Sequence, residues 1–366
     1  MHGDSSASVM PGWLRNQEAV LHESAASLRR LWSLPSVWLQ KQQITKGATP
    51  SEVIYEEDRV RLLHYYPLDG AAKHKTPLLF IYAMVNRPYI LDILPNKSVV
   101  EHFVRGGFDT YLIDWGTPTY ADRHLDLNTY VTGYTRHIVK HLLARTQCPQ
   151  VNILGYCMGG TMSAMFTAFY PEWVKNLILM AAGIDFSTRE GLLNLWNEPQ
   201  NFDVDAFLEV NANCPAEYLQ SCFLLLKPVQ NSIAKTATFL DKLDDQSFIK
   251  EFLTMETWLN DGVAVPGEVF RQFVKHLYQR NLLVQNRLPL GKRVVNLKKI
   301  TCPVLNLMAE KDDLVPAAQS EPFCSLVGST DCQAIKAHCG HIGLAMGSSA
   351  QKKVWPRAVA WLAERQ

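Results

Sequence analysis

The run Gly155-Tyr156-Cys157-Met158-Gly159-Gly160 restricts the fold of this chain more than any other feature. It follows residues 150–154, an apolar segment with the character of a buried strand, and leads into 160–169, where apolar residues recur at helical spacing. A turn from strand to helix in so few residues holds its apex residue in a strained conformation. It also requires small residues two positions to either side. Gly155 and Gly159 meet that requirement around Cys157, so the run reads as a nucleophile elbow carrying cysteine.

Similar short apolar runs recur at 77–82, 108–114, 176–181, 302–308 and 332–337, and helical spacing returns at 127–143. Alternation of this kind signals a doubly wound, mostly parallel sheet, and with the elbow it predicts an α/β-hydrolase fold. The strand rhythm stops between about 186 and 297, where Trp196, Phe202, Phe207, Phe223, Phe239, Trp258, Phe270 and Phe273 recur in a helix-compatible background. Connections without structure beyond ~15 residues are uncommon, so a mainly helical cap, or lid, is expected there. The expected division is an N-terminal helical arm over 1–50, a core of 51–185 and 295–366, and a cap over 186–294. The arm carries Trp13, Leu14, Leu28 and Trp32 at helical spacing, which suits packing on the core or contact with a partner or polymer surface.

Composition removes several function classes. Hydrophobic residues make up 47% of the chain and charged ones 19%, the balance of a folded globule. Lysine and arginine number 36 against 35 acidic residues, so no net field favours nucleic acid. The eight cysteines (148, 157, 214, 222, 302, 324, 332 and 339) form no CxxC pair, and no secretory apolar stretch stands at the N-terminus; reduced thiols in a cytoplasm are expected. No apolar run approaches the ~20 residues of a transmembrane segment.

Cys157 would stand at the first turn of a helix, where the positive end of the dipole favours thiolate. In this fold an acid and then a histidine follow the nucleophile, each after a later strand. Asp312 or Asp313 follows the run 302–308, and His338 or His341 follows 332–337. Gly340 permits the tight turn that would aim His341, and spacing favours Asp312. An oxyanion would be held by the backbone N–H of Met158 and by one from Met84-Val85-Asn86, with Val85 the leading candidate. Asn86 and Arg87 either touch substrate or fix this loop.

These residues resemble the class III and class IV polyhydroxyalkanoate synthases over most of the chain. The resemblance rests on the elbow, on Asn86-Arg87-Pro88-Tyr89-Ile90-Leu91-Asp92-Ile93, and on Leu112-Ile113-Asp114-Trp115-Gly116. Trp258-Leu259-Asn260-Asp261-Gly262, Pro266-Gly267-Glu268, Asp312-Asp313-Leu314-Val315-Pro316 and Gly340-His341-Ile342 complete it. It implies a triad of Cys157, Asp312 and His341 in an acyltransferase that polymerises short-chain (R)-3-hydroxyacyl-coenzyme A, 3-hydroxybutyryl-coenzyme A foremost, into polyester. It further implies no cofactor and no metal, a small second subunit of class III or class IV type, a homo-oligomer, and a cytoplasmic location at the surface of storage granules. A thioester on Cys157 stays activated for attack by an alcohol, which a serine ester would not. The competing readings are a cysteine-nucleophile thioesterase or esterase, and a non-enzymatic granule protein of the same fold.

Overall fold

The computed structural model describes residues 44–67, 70 and 72–366; residues 1–43, and with them most of the expected N-terminal arm, lie outside the described residues. By internal contacts the chain divides into two units, one spanning 45–226 and 258–366, the other including 227–257.

The larger unit is built on an eight-stranded sheet: β1 (Ser51–Glu57), β2 (Val60–Tyr65), β3 (His74–Ile81), β4 (Phe108–Asp114), β5 (Val151–Tyr156), β6 (Val174–Met180), β7 (Val304–Ala309) and β8 (Cys332–Ala337). Their order is β1-β2-β4-β3-β5-β6-β7-β8. Strands β3 to β8 are parallel, whereas β2 runs antiparallel to β1 and β4. Every residue of β5 and β7 is buried, which explains their continuous apolar sequence: strands covered on both faces have no polar side to show. All six strands expected from apolar runs are present. The β1–β2 hairpin was not foreseen, because β2 alternates buried and exposed residues and β1 is largely exposed, so neither forms an apolar run.

The helix Met158–Phe169 is buried along almost its whole length, with only Phe169 partly exposed. Its sequence, rich in Gly, Ala, Met and Phe, offers no charged face, and it packs on β5 and β6. Between β6 and β7 the chain is mainly helical, in agreement with the expected inserted cap. In the larger unit this region includes the helices Leu192–Trp196, Val204–Asn211, Ala216–Leu225 and Gly267–Gln272, with Val204, Leu208 and Val274 forming a local core. The smaller unit has its own core of Leu243, Ile249 and Leu253, against which Phe239, Phe248 and Phe252 pack.

One expectation is corrected. Reduced thiols were expected throughout, but Cys324 and Cys332 form a disulfide, with a Cα–Cα distance of 5.6 Å. The short helix Phe323–Leu326 and the start of β8 are brought together by a tight connection that no CxxC spacing announces. Cys148, Cys157, Cys214, Cys222, Cys302 and Cys339 are free thiols. Among the described residues no helix is long and apolar enough to cross a membrane.

Candidate active site

Strand β5 ends at Tyr156 and the following helix begins at Met158, so Cys157 alone makes the turn. Its φ of 57° and ψ of −128° form a strained conformation, with a cost of order 1–3 kcal/mol that surrounding structure must sustain. The Cys157 N–H donates to Met180 O at 2.9 Å, and its carbonyl accepts from Gly160 N at 2.9 Å. A Cβ on Gly159 would lie 2.2 Å from Ile81 O, and one on Gly155 would lie 2.4 Å from Ser163 Oγ. The elbow glycines are therefore required by close approach to the end of β3 and to the helix itself. Met158 N–H lies in the first turn of that helix, among the groups that an α-helix leaves without an intrahelical acceptor.

His341 opens the short helix His341–Met346 directly after Gly340, and its Nδ1 lies 2.7 Å from Asp312 Oδ2. The Asp312 side chain is fully buried. Its second oxygen accepts from Leu314 N at 2.9 Å and from Val315 N at 2.8 Å. Burial alone would lower the His341 ring. The Asp312 carboxylate, the neighbouring Cys157 and the hydrogen bond to Asp312 outweigh it and push the ring up to about 10. Tyr156 braces the histidine: its ring stacks on the imidazole at 5.0 Å, and its hydroxyl donates to His341 O at 3.1 Å.

The two rejected alternatives lie elsewhere. Asp313 is exposed, and His338, its side chain 71% exposed, pairs with Glu310 at 2.8 Å.

Val85, Cys157 and Met158 share the wall of one cavity of about 130 Å³. Trp196, Phe202, Phe223, Phe270, Phe273 and Tyr278 from the inserted helical region contribute most of its aromatic lining. Asn86 and Arg87 are absent from that lining and fix the loop instead. Asn86 Oδ1 accepts from Arg87 N at 2.6 Å, and an Arg87 guanidinium N–H donates to Thr117 Oγ1 at 2.7 Å.

Several of the motif residues singled out in the sequence brace this same loop. Trp258 Nε1 donates to Arg87 O at 2.8 Å, and Tyr89 O–H to Asp261 Oδ2 at 3.1 Å. Trp115 Nε1 donates to Tyr82 O at 2.8 Å. Asp92 anchors a different segment, accepting from the N–H groups of Ala48 and Thr49.

Sequence reasoning missed Tyr278 and Tyr156 as members of the site. Both are aromatic residues in apolar surroundings, and nothing in their spacing separates them from core residues. Among the described residues, no group of three or more His, Cys, Asp or Glu side chains is placed to hold a metal ion. A thiol, a charged imidazole oriented by a buried carboxylate, and a backbone donor beside an apolar cavity suit acyl transfer through a covalent intermediate.

Comparison with known proteins points the same way. The profile described as "alpha/beta hydrolase fold" matches residues 76–346, and that described as "Poly-beta-hydroxybutyrate polymerase (PhaC) N-terminus" matches 41–103. The poly(3-hydroxyalkanoate) polymerase subunit PhaC of Haloferax mediterranei is 42% identical over 88% of this chain, which spans 65% of that protein's length. The protein of the same name from Allochromatium vinosum is 40% identical over 89% of this chain and 92% of its own. Among solved structures, the bromoperoxidase-named BpoC of Mycobacterium tuberculosis matches with a TM-score of 0.51 at 13% identity, over 88% of this chain and 97% of that one. Naproxen esterase of Bacillus subtilis matches with a TM-score of 0.50 at 14% identity, over 89% and 96%. These two structures share the fold and carry nothing further.

Proposed function

The chain belongs to the family of poly(3-hydroxyalkanoate) polymerases, and on that premise we propose that it polymerises (R)-3-hydroxyacyl-coenzyme A through a thioester on Cys157. The observation that carries the reading is His341, hydrogen-bonded to the buried Asp312 at 2.7 Å, together with Cys157 at the elbow in the wall of an apolar cavity.

In this reading the Cys157 thiolate attacks the thioester carbon, and the N–H groups of Met158 and Val85 hold the oxyanion. Coenzyme A leaves as its thiol, taking the proton that His341 holds. The 3-hydroxyl of an incoming unit then gives its proton to His341 and attacks the carbonyl of the thioester held on Cys157. An ester bond forms, the carbon–sulfur bond breaks, and the Cys157 thiolate returns. Asp312 orients the ring and stabilises its charge. Residues 186–294 act as the cap and 51–185 with 295–366 as the core; the apolar lining disfavours water, which would otherwise release the chain.

Short-chain substrates, 3-hydroxybutyryl-coenzyme A foremost, suit a cavity of about 130 Å³. The relatives are named as polymerase subunits, which supports a small second subunit of class III or class IV type. A homo-oligomer in the cytoplasm, at the surface of polyester granules, completes the proposal.

The test is to incubate the protein with (R)-3-hydroxybutyryl-coenzyme A, with and without each candidate second subunit, and to follow thiol release and product mass. High-mass polyester that disappears in Cys157→Ala is expected. Free 3-hydroxybutyrate as the sole product would replace the reading with a thioesterase.

A further inference from the structure

A hydroxyacyl chain entering the Cys157 cavity brings a hydroxyl group into a mostly apolar space. Leaving it without a hydrogen bond there would cost about 1–3 kcal/mol. The cavity wall offers few polar side chains, and most are already engaged. Thr161 O–H donates to Gly183 O at 2.7 Å, and Asn197 Nδ2 to Leu193 O at 2.8 Å. Gln319 Nε2 donates to Asn194 Oδ1 at 2.7 Å, which leaves its Oε1, unpartnered among the described residues, able only to accept; the Tyr218 phenol is acted on by Cys222 and Cys214, not by Cys157.

Tyr278 differs. Its ring packs edge-on against Phe186 at 4.8 Å and tilted against Phe273 at 6.1 Å, so its position is set by its neighbours. The side chain lines the cavity, yet its hydroxyl makes no hydrogen bond to any described residue. Burial first, and then the negative charges of Cys157 and Asp312, hold the phenol above its ordinary range, so it remains a neutral donor. A hydroxyl acted on by both ends of the Cys157–His341–Asp312 array, with no acceptor among the described residues, has a donor to offer a substrate.

We propose that Tyr278 recognises the 3-hydroxyl group of the acyl chain and thereby separates hydroxyacyl from plain acyl thioesters at this site. The assignment rests on the polymerase reading above. The thioester oxygen has its donors in backbone N–H groups at Met158 and Val85, so the 3-hydroxyl oxygen is the substrate group left in need of one. Donation from Tyr278 to that oxygen leaves the oxygen's own proton for His341 to take during elongation.

Tyr278→Phe keeps the ring contacts and removes only the O–H, so it is compared in a Cys157→Ala background that cannot be acylated. Binding of (R)-3-hydroxybutyryl-coenzyme A and of butyryl-coenzyme A is measured by calorimetry in the single and the double variant. The single variant should prefer the hydroxylated thioester by about 5- to 10-fold, the worth of one hydrogen bond. In the double variant that preference should vanish, with butyryl-coenzyme A binding unchanged within about 2-fold. A preference that survives Tyr278→Phe, or equal binding of both thioesters by Cys157→Ala alone, overturns the assignment. Polyester formation by the unmodified protein is read separately. Polymer without a Tyr278-dependent preference defeats only this inference, and the preference without polymer defeats only the polymerase reading.

Discussion

Gly159→Ala tests whether the elbow depends on contact with the end of β3. The added Cβ would lie 2.2 Å from Ile81 O and 2.6 Å from both the carbonyl carbon and oxygen of Tyr82. To restore van der Waals separation the elbow and the strand must part by roughly 1 Å. Both sides of the contact are backbone, so no side chain can swing away. Overpacking of this kind costs about 1–3 kcal/mol, and a 1 Å misplacement of reacting groups costs about 10²-fold in rate. The strand that must retreat leads to Val85, and the elbow carries Cys157, so the rate should fall further than the stability loss alone explains. Gly133→Ala is the control: it lies within the helical turn Thr129–Tyr134, with no atom within 4 Å of the added Cβ. It should stabilise the fold by about 0.4–1 kcal/mol through reduced freedom of the unfolded chain. Thermal unfolding and coenzyme A release from (R)-3-hydroxybutyryl-coenzyme A are measured for both variants. A Gly159→Ala protein with unchanged Tm and unchanged rate would refute the reasoning, because it would show that this contact places no demand on the elbow.

Three further outcomes are expected. Asp312→Asn retains an oxygen that can accept from Leu314 and Val315 but presents an amide to His341 Nδ1, so thiol release should drop by roughly 10³- to 10⁴-fold while the variant still folds; near-normal turnover would remove Asp312 from the mechanism. The His341 ring is raised from 6.5 to about 10 on folding, so its contribution to stability is fully present below about pH 6.5 and is lost as pH rises through about 10. Urea midpoints between pH 7 and 10.5 should therefore decline in the unmodified protein and decline less in Asp312→Asn; parallel curves would contradict the assigned coupling. His338→Ala should change stability by no more than about 1 kcal/mol and leave turnover intact, because its bond to Glu310 is a surface pair; a large loss of turnover would reopen the choice of base.

The parts of the fold read most directly from the sequence are those whose local and tertiary environments agree. Strands β3 to β7 lie inside the sheet, and burial on both faces leaves a largely apolar run, whereas β8 at the far edge buries only Ala337. The β1–β2 hairpin lies at the sheet edge, where alternation and exposed positions dilute that signal. At the site, the glycines around Cys157 are legible because a single-residue turn has a narrow steric requirement. Tyr278 is not legible, since an aromatic residue in a helical segment has the same spacing whether it fills a core or lines a cavity. The Cys324–Cys332 bond escaped notice for a related reason: it depends on how closely a helix approaches the start of β8.

By itself, the sequence determined the alternation of strand and helix, the cysteine elbow, and the order of acid and histidine after it, because these follow from local sterics and from burial. The sequence favoured His341 over His338 through Gly340; the tertiary structure supplies the meeting itself, with two loops following β7 and β8 bringing His341 to Asp312 and leaving His338 exposed beside Glu310. Tertiary structure also decided that Trp258 and Tyr89 brace the loop behind Val85, and that Tyr278 lines the same cavity as Cys157 from a helix more than a hundred residues away. Such pairings rest on distances between segments remote in the chain, which no local pattern encodes.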